Sequence, residues 1–276
     1  MADILFHQNP VRTRERQRKP QTAKFVLVTV LLLVLVALGE LGFHFLVRPE
    51  LMISRVIVES EMSIPNQKLL QIAGLTGSHY YFSVDTAQVK RNLEAYAPVK
   101  SATVTKRFPN TLRVTLTGRK PLAMAFAQKD GHQVPLVFDE DGVVFEQGED
   151  VSQWNLPVVS GLAFENPAPG MRLPRRLLAF LEDMKELSLQ APVLFHQISE
   201  YRIVQTGSQD FEVLLYPVNY HVPVRIGSQL DEEMCKYIVM VLDVFQRQKS
   251  LDTIQELDFR TGQVVFRMRE DPVASR

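Results

Sequence analysis

Residues 100–117 read KSATVTKRFPNTLRVTLT and describe two short strands joined by a turn. In the second strand Leu112, Val114 and Leu116 alternate with polar residues, which is the pattern of a strand with one buried face. Phe108-Pro109-Asn110 between the strands has the composition of a hairpin turn. The hairpin therefore supplies two strands of a small sheet.

One strand and two helices upstream of the hairpin complete a small module. Residues 52–60, MISRVIVES, are rich in β-branched side chains and predict a strand. Ile64-Pro65-Asn66 opens a first helix, which Gly74 ends, and Asp85 opens a second helix as its N-cap. Two helices on one face of a three-stranded sheet make an α/β module over 52–120.

The stretch before this module is apolar and long enough to cross a membrane. Residues 25–47 read FVLVTVLLLVLVALGELGFHFLV, and a bilayer core of about 30 Å needs roughly 20 helical residues. A cleaved signal peptide is the alternative, because Ala37-Leu38-Gly39 resembles a cleavage site. The long basic region before the stretch favours a retained transmembrane helix. Glu40 and His44 share one helical face, and lie either at the outer interface or against a partner helix.

Charge on either side of the apolar stretch predicts its orientation. Residues 1–24 hold six basic and two acidic side chains, a net charge of +4, whereas Arg48 is the only basic residue close behind the stretch. Basic residues are retained on the cytoplasmic side of a membrane. We therefore expect residues 1–24 to be a basic cytoplasmic tail and the large C-terminal part to be exported.

From Pro121 onward the pattern is mainly that of strands. The acidic run Asp139-Glu140-Asp141-Gly142 lies between two apolar strands, lacks the spacing of an EF-hand loop and predicts a plain hairpin turn. Further strands are expected near 198–205, 211–215, 222–226, 254–259 and 263–268, the last two joined by Arg260-Thr261-Gly262. This β-domain covers 121–270, and a short tail covers 271–276.

Two amphipathic helices interrupt these strands. The first begins at Pro174, and the second covers about 229–249 with Ser228 as its N-cap. The core face of the second helix is expected to hold Leu230, Met234, Tyr237, Val241 and Phe245. The fold class is therefore α+β, with one transmembrane helix, a small α/β module and a mainly antiparallel β-domain with two flanking helices.

Composition narrows the classes of function. Thirty-one basic and 31 acidic residues balance, so a nucleic-acid partner is not expected. The single cysteine, Cys235, excludes an intrachain disulfide and lies in a pattern typical of a small buried hydrophobe. The scattered histidines lack zinc-ligand spacing. We expect no catalytic residue, no metal ligand, no cofactor and no small-molecule substrate.

The order and spacing of these elements resemble the FtsQ/DivIB family of bacterial cell-division proteins. The likeness rests on RFPNTLRVTL at 107–116, RKP at 119–121, VFDEDGVVF at 137–145 and IQELDFRTGQVVFRMR at 254–269. It implies that the module over 52–120 is a POTRA-like domain.

A departure from the family pattern lies at Gly118, where relatives commonly place an acidic residue. An ion pair at the junction of the two domains is therefore in question, while the fold is not.

For function, the resemblance implies a non-enzymatic scaffold of the cell inner membrane at the division septum. FtsQ-like proteins recruit the single-pass coiled-coil proteins FtsB and FtsL. They connect early division proteins, and other divisome proteins, with septal peptidoglycan synthesis. The implied topology is single-pass, with a cytoplasmic N-terminus and periplasmic C-terminal domains.

The C-terminal hairpin is the expected partner site. An edge strand leaves backbone N–H and C=O groups unpaired, and a partner strand can pair with them by β-augmentation. In the family, the position that matches Phe259 is aromatic and exposed to the partner. The expected partner-binding residues are Phe259, Thr261, Gly262, Gln263, Val264, Val265, Phe266, Arg267 and Met268. The alternative is that the apolar residues among them simply fill the core.

Three rival functions stay open from the residues alone. An exported enzyme would need a nucleophile, a base and an orienting group, and no such motif is visible. An outer-membrane assembly factor of the POTRA type would need a long barrel of strands, whereas two helices interrupt this domain. An exported binding or sensor module unrelated to division is the third.

Overall fold

The computed structural model describes residues 21–269 except 63, 153 and 208–209. Within these residues a long N-terminal helix precedes a three-stranded sheet and a nine-stranded sheet. The expected basic tail up to residue 20 and the expected tail at 271–276 lie outside the described residues. The α+β fold class with an N-terminal apolar helix is confirmed.

The apolar helix stands apart from the two sheets. Helix α1 (Gln21–Gly42) is continued by a π-helical segment, Phe43–Val47, and a 3-10 turn, Pro49–Leu51, follows. The 23 residues Lys24–Leu46 are long and apolar enough to cross a membrane, and none of the tested window is buried against the rest of the described protein. A helix that is apolar on all sides and unburied in protein requires an apolar surrounding.

The three-stranded sheet carries two helices. Its elements are β1 (Arg55–Ser60), α2 (Asn66–Ile72), α3 (Thr86–Glu94), β2 (Val99–Arg107) and β3 (Thr111–Gly118). The strand order is β1-β3-β2, with β1 parallel and β2 antiparallel to the central β3. The predicted hairpin over 100–117 is thereby confirmed.

Local chemistry sets the bounds of these elements. The side chain of Asp85 accepts hydrogen bonds from the backbone N–H groups of Ala87 and Gln88, as the predicted N-cap of α3. Gly74 follows α2 with φ +72°, a conformation that Gly adopts without steric cost. Strand β1 begins later than predicted because Met52 forms an isolated bridge with Tyr80 instead.

Twelve further elements form the nine-stranded sheet and the helices on it. They are β4 (Ala123–Lys129), β5 (His132–Phe138), β6 (Val144–Gln147), β7 (Val158–Ser160), α4 (Leu178–Gln190), α5 (Pro192–Phe195), β8 (Ile198–Gln205), β9 (Phe211–Pro217), β10 (Val224–Ile226), α6 (Glu232–Arg247), β11 (Ile254–Asp258) and β12 (Val265–Met268). The order is β12-β11-β10-β9-β8-β7-β4-β5-β6. Most neighbours are antiparallel, while β4-β7, β7-β8 and β10-β11 are parallel.

Helices α4 and α6 cover one face of this sheet. Met184 of α4 and Leu242 of α6 are fully buried in the same apolar cluster as Tyr201 and Leu215 of the sheet. Burial of that apolar area is the main favourable contribution to the stability of the domain. The opposite face near β10 and β11 carries charged side chains.

Helix α6 differs from its prediction in two ways. Its N-cap is Asp231 rather than Ser228, because the Asp231 carboxylate accepts from the backbone N–H of Met234 at 2.7 Å. Its buried residues are Cys235, Ile238 and Leu242. Of the predicted core face, Leu230 is buried just before the helix begins, whereas Tyr237 is 39% exposed. The other three residues are partly buried against the main apolar cluster: Met234, Val241 and Phe245. The burial predicted for Cys235 is confirmed.

Candidate partner-binding edge

Strand β12 is an open edge of the nine-stranded sheet. It pairs with β11 alone, and no described strand lies beyond it. The direction of the backbone groups on this edge follows from the hydrogen bonds that β11 makes on its other side, to β10.

 Leu257 donates its backbone N–H to Pro223 O at 3.1 Å, and Phe259 donates to Arg225 O at 2.9 Å, so both residues direct their backbone groups toward β10.

Backbone groups of successive strand residues point to opposite sides, so Glu256 and Asp258 face β12. Their partners in the register are Arg267 and Val265, which therefore bond inward to β11. The N–H and C=O groups of Phe266 and Met268 point to the open edge. These groups are available to a further strand.

Side chains on this edge are apolar and half exposed. Val265, Phe266 and Met268 have exposed fractions of 56%, 50% and 55%. Phe266 lies opposite the buried Leu257 in the register, and its ring meets that of Phe245 on α6 at 5.9 Å. The edge therefore presents both free backbone groups and an apolar surface supported by α6.

The expectation that Phe259 is exposed is wrong. Its side chain is only 3% exposed, and its ring packs edge-on against Tyr237 of α6 at 5.5 Å. The signal was present in the sequence, because Phe259 follows the buried Leu257 by two residues and so shares its face. Phe259 supports the edge from beneath rather than lying on its surface.

The other predicted residues lie around the turn and along the strand. Thr261, Gly262 and Gln263 are exposed, and Gly262 has φ +76°, which favours glycine in this tight turn. Val264 is partly buried and packs against the main apolar cluster. Arg267 is exposed on the charged face of the sheet. The structure thus brings the predicted residues together, with Phe259 and Val264 turned inward.

A network of charged side chains holds the strands behind the edge. Arg225 donates to Glu256 at 2.6 Å and to Glu212 at 3.0 Å. Arg260 in the turn pairs with Asp258 at 2.6 Å and also with Glu212. The hydrogen bond from Arg260 lowers the pKa of Asp258, and the one to Glu256 raises the pKa of Arg225. The turn is therefore tied to β9 and β11.

The junction between the two sheets holds an ion pair that the sequence left in question. Arg119 donates to the fully buried Asp139 at 2.5 Å and also to the backbone oxygen of Ala97 at 3.0 Å. Asp139 further accepts from the backbone N–H groups of Asp141 and Val143. The acidic turn is therefore a docking element for the first domain as well as a hairpin turn.

The lack of a side chain at Gly118 has a steric reason at this junction. A Cβ atom built there would lie 2.6 Å from Cγ of Met62. Any side chain at this position, acidic ones included, would require Met62 to move. The ion pair is instead supplied by the next residue, Arg119.

Two observations on the described residues concern metal binding and nucleophilic chemistry. The residues described there contain no group of three or more His, Cys, Asp or Glu side chains that could hold a metal ion. Burial raises the pKa of the Cys235 thiol to about 12, so this thiol stays protonated near neutral pH. A protonated, buried thiol is a poor nucleophile.

Comparison with known proteins agrees with this architecture. Residues 51–119 match the family described as POTRA domain, FtsQ-type. The chain is 27% identical to the cell division protein FtsQ of Myxococcus fulvus over 229 residues, which covers 77% of this chain and 79% of the relative. It is 24% identical to the cell division protein DivIB of Bacillus cytotoxicus over 75% of this chain and 73% of the relative.

A third relative extends along nearly the whole chain. The cell division protein FtsQ of Koribacter versatilis is 24% identical over 99% of this chain and 77% of its own length. These relatives support a role in cell division. Residues 51–119 thus form an FtsQ-type POTRA domain, and the resemblance of the chain to the FtsQ and DivIB cell-division proteins is confirmed.

Proposed function

We propose that this protein is a non-enzymatic, single-pass division scaffold that binds FtsB-like and FtsL-like proteins through the β12 edge. Through these partners and other divisome proteins it links early division proteins to septal peptidoglycan synthesis. The observation that carries the proposal is the open edge of β12, with its outward backbone groups and its half-exposed apolar side chains. Relatives that are cell division proteins supply the biological context.

The proposed location is the cell inner membrane at the division septum. Residues 25–47 are the uncleaved anchor, the tail at 1–24 is cytoplasmic, and the POTRA domain at 52–120 and the β-domain at 121–270 are periplasmic. The apolar helix and the +4 charge of the tail support this orientation. A tagged chain should gather at the division plane.

The edge favours a partner segment of a particular kind. A strand added beside β12 would place every second side chain on the α6 side, next to Phe266 and Met268. Those positions of the partner should be apolar, because the surface that they meet is apolar. Positions between them would lie beside Arg267 on the charged face, where an acidic side chain is favoured.

The test compares two substitutions at one residue. Phe266→Ala removes an apolar side chain, whereas Phe266→Pro removes the same side chain together with the outward N–H. Pro is tolerated on an edge strand where the N–H faces away from the sheet. Loss of one hydrogen bond is worth about 1 kcal/mol. We expect Phe266→Ala to weaken binding of the exported segment of an FtsB-like partner, and Phe266→Pro to weaken it about fivefold or more beyond that.

The single cysteine provides the control for folding. Cys235 is buried, so each variant should protect its thiol from a thiol reagent until urea unfolds the chain. Equal affinities of the Ala and Pro variants, with Cys235 protected in both, would show that no ladder hydrogen bond forms at this position. Wild-type affinity in both variants would show that the β12 edge is not the partner site.

A further inference from the structure

A cluster of aromatic side chains lies where the chain leaves the apolar helix. The backbone oxygen of Leu51 accepts from the N–H of Tyr81 at 2.8 Å, and Ile53 N–H donates to His79 O at 2.8 Å. Leu51 itself is buried in the protein. The loop around residue 80 is therefore bonded directly to the first residues after the helix.

We call this group the membrane-proximal aromatic cluster, and it contains Tyr80, Tyr81, Phe82 and Phe108. The ring of Tyr81 meets the rings of Phe82 and Phe108 at 5.2 and 6.0 Å, and Tyr80 meets Phe82 at 5.6 Å. Phe82 and Phe108 are 62% and 72% exposed, although each presents a large apolar surface. Two exposed rings supported by two others form an apolar surface patch that needs an explanation.

The distance to the membrane helix is limited by the chain. Phe43–Val47 ends the helical segment, and Leu51 is already bonded to the cluster loop. Each residue spans at most about 3.6 Å, and the intervening Pro49–Leu51 is a 3-10 turn, which is shorter. Leu51, which is bonded to Tyr81 of the cluster, therefore lies within roughly 15 Å of the end of the helix, and a headgroup region of about 5–8 Å on each side of the bilayer takes up part of that distance.

The strands of the POTRA domain place the cluster at the membrane end. Arg55 at the start of β1 pairs with Thr111 at the start of β3, and Arg107 at the end of β2 also pairs with Thr111. Phe108 follows directly. The opposite ends of these strands, near Gly118, lead to the β-domain.

Basic side chains accompany the rings. The Lys106 ammonium lies 5.4 Å from the ring centre of Tyr81, and the neighbouring Arg107 is exposed. Aromatic rings beside Lys and Arg are typical of the interface between a bilayer and water, where the rings enter the headgroup region and the cations meet lipid phosphates.

We propose that the membrane-proximal aromatic cluster seats the POTRA domain on the bilayer surface, with Phe82 and Phe108 inserted among the headgroups and Lys106 and Arg107 on anionic lipid. The proposal rests on the proposed retention of residues 25–47 as a membrane anchor. The contact would limit the tilt of the POTRA domain and thereby the direction in which the β-domain projects.

The experiment uses tryptophan fluorescence of the full chain in vesicles that contain brominated lipid. The chain has one tryptophan, so Trp154→Phe gives a silent background. Phe108→Trp then reports on the cluster, Tyr96→Trp on the far end of the POTRA domain, and Leu33→Trp on the apolar helix. Tyr96 is a suitable control because its backbone oxygen accepts from Val99 N–H at the far end of β2.

We expect bromolipid to quench the tryptophans at 33 and 108 and to leave the one at 96 unquenched. Quenching at 33 without quenching at 108 overturns the seating proposal while the membrane anchor stands. No quenching at 33 rejects the anchor and the seating proposal with it. The vesicles hold no other protein. If the cluster binds a partner protein instead of lipid, we therefore expect quenching at 33 without quenching at 108.

A second measurement tests the basic residues. Lys106→Glu combined with Arg107→Glu should reduce quenching at 108 in vesicles with anionic lipid and leave quenching at 33 unchanged. The same quenching at 108 before and after the double substitution would overturn the role of anionic lipid.

Discussion

At the scale of single residues, the buried charge of Asp139 is the most demanding feature of the chain. The side chain is inaccessible to solvent, and its three donors come from Arg119 and from two backbone N–H groups. Removing one member of a buried ion pair leaves the other charge without compensation. The residue therefore serves the hairpin and the domain junction at once.

We expect Asp139→Ala to lower the free energy of unfolding by about 3–5 kcal/mol, because the largely buried Arg119 loses its closest carboxylate and keeps only the longer contact with Asp141. The matched control is Asp141→Ala in the same turn, where the carboxylate is half exposed and the loss should be about 0–1 kcal/mol. Urea denaturation of both variants gives the comparison. Similar losses in the two variants would contradict the special role of Asp139.

At the scale of elements, helix α6 supports the binding edge through its ring contacts with the last hairpin. Tyr237 packs on Phe259, and Phe245 packs on Phe266. Helix α6 begins after its N-cap Asp231, and Ser228 does not cap it. The cap and the edge are therefore connected through one helix.

Asp231→Ala should destabilise the β-domain by about 1 kcal/mol, because the N–H of Met234 loses its acceptor. Ser228→Ala is the control and should have little effect, since Ser228 lies outside the helix. Thermal unfolding of the two variants distinguishes the caps. A larger loss of stability for Ser228→Ala than for Asp231→Ala would show that Ser228 is the N-cap, as the sequence predicts.

At the scale of the whole molecule, charged side chains join the POTRA domain to the β-domain. Lys100 of β2 lies 2.6 Å from Glu140 and 3.1 Å from Asp141 in the acidic turn. For Glu140, burial is the largest single influence and raises the pKa, but the hydrogen bond from Lys100 and the other favourable interactions outweigh it and lower the pKa. The ionised form of Glu140 is thus favoured by folding.

The lowered pKa of Glu140 determines how the stability of the protein changes with pH. The stabilisation from Glu140 is present above its ordinary pKa of 4.5 and is lost as the pH falls through the lowered value. We expect the stability of the wild type to fall in this acidic range more steeply than that of Glu140→Gln, by less than about 1 kcal/mol because the pair is partly exposed. Urea titrations at a series of pH values measure the difference. Parallel curves for the two proteins would argue against the junction pair.

Much of the fold follows from the sequence because it depends on local patterns. The run at 25–47 predicts an apolar helix from its length, and the alternation of Leu112, Val114 and Leu116 predicts a strand with one buried face. Asp85 caps a helix through its immediate neighbours. The strand predicted near 198–205 has the bounds of β8. In each case the interactions that decide the structure lie within a few residues.

The tertiary structure decided what depends on contacts between distant residues. Helix α6 is apolar on several sides, so only packing against the sheet selects Cys235, Ile238 and Leu242 as its buried face. The pair of Arg119 and Asp139 follows from the docking of two domains. The sequence alone identifies β12 as the last strand, but its place at the open edge is decided by the order of pairing in the sheet, because strand pairing joins segments whose separation along the chain carries no local signal.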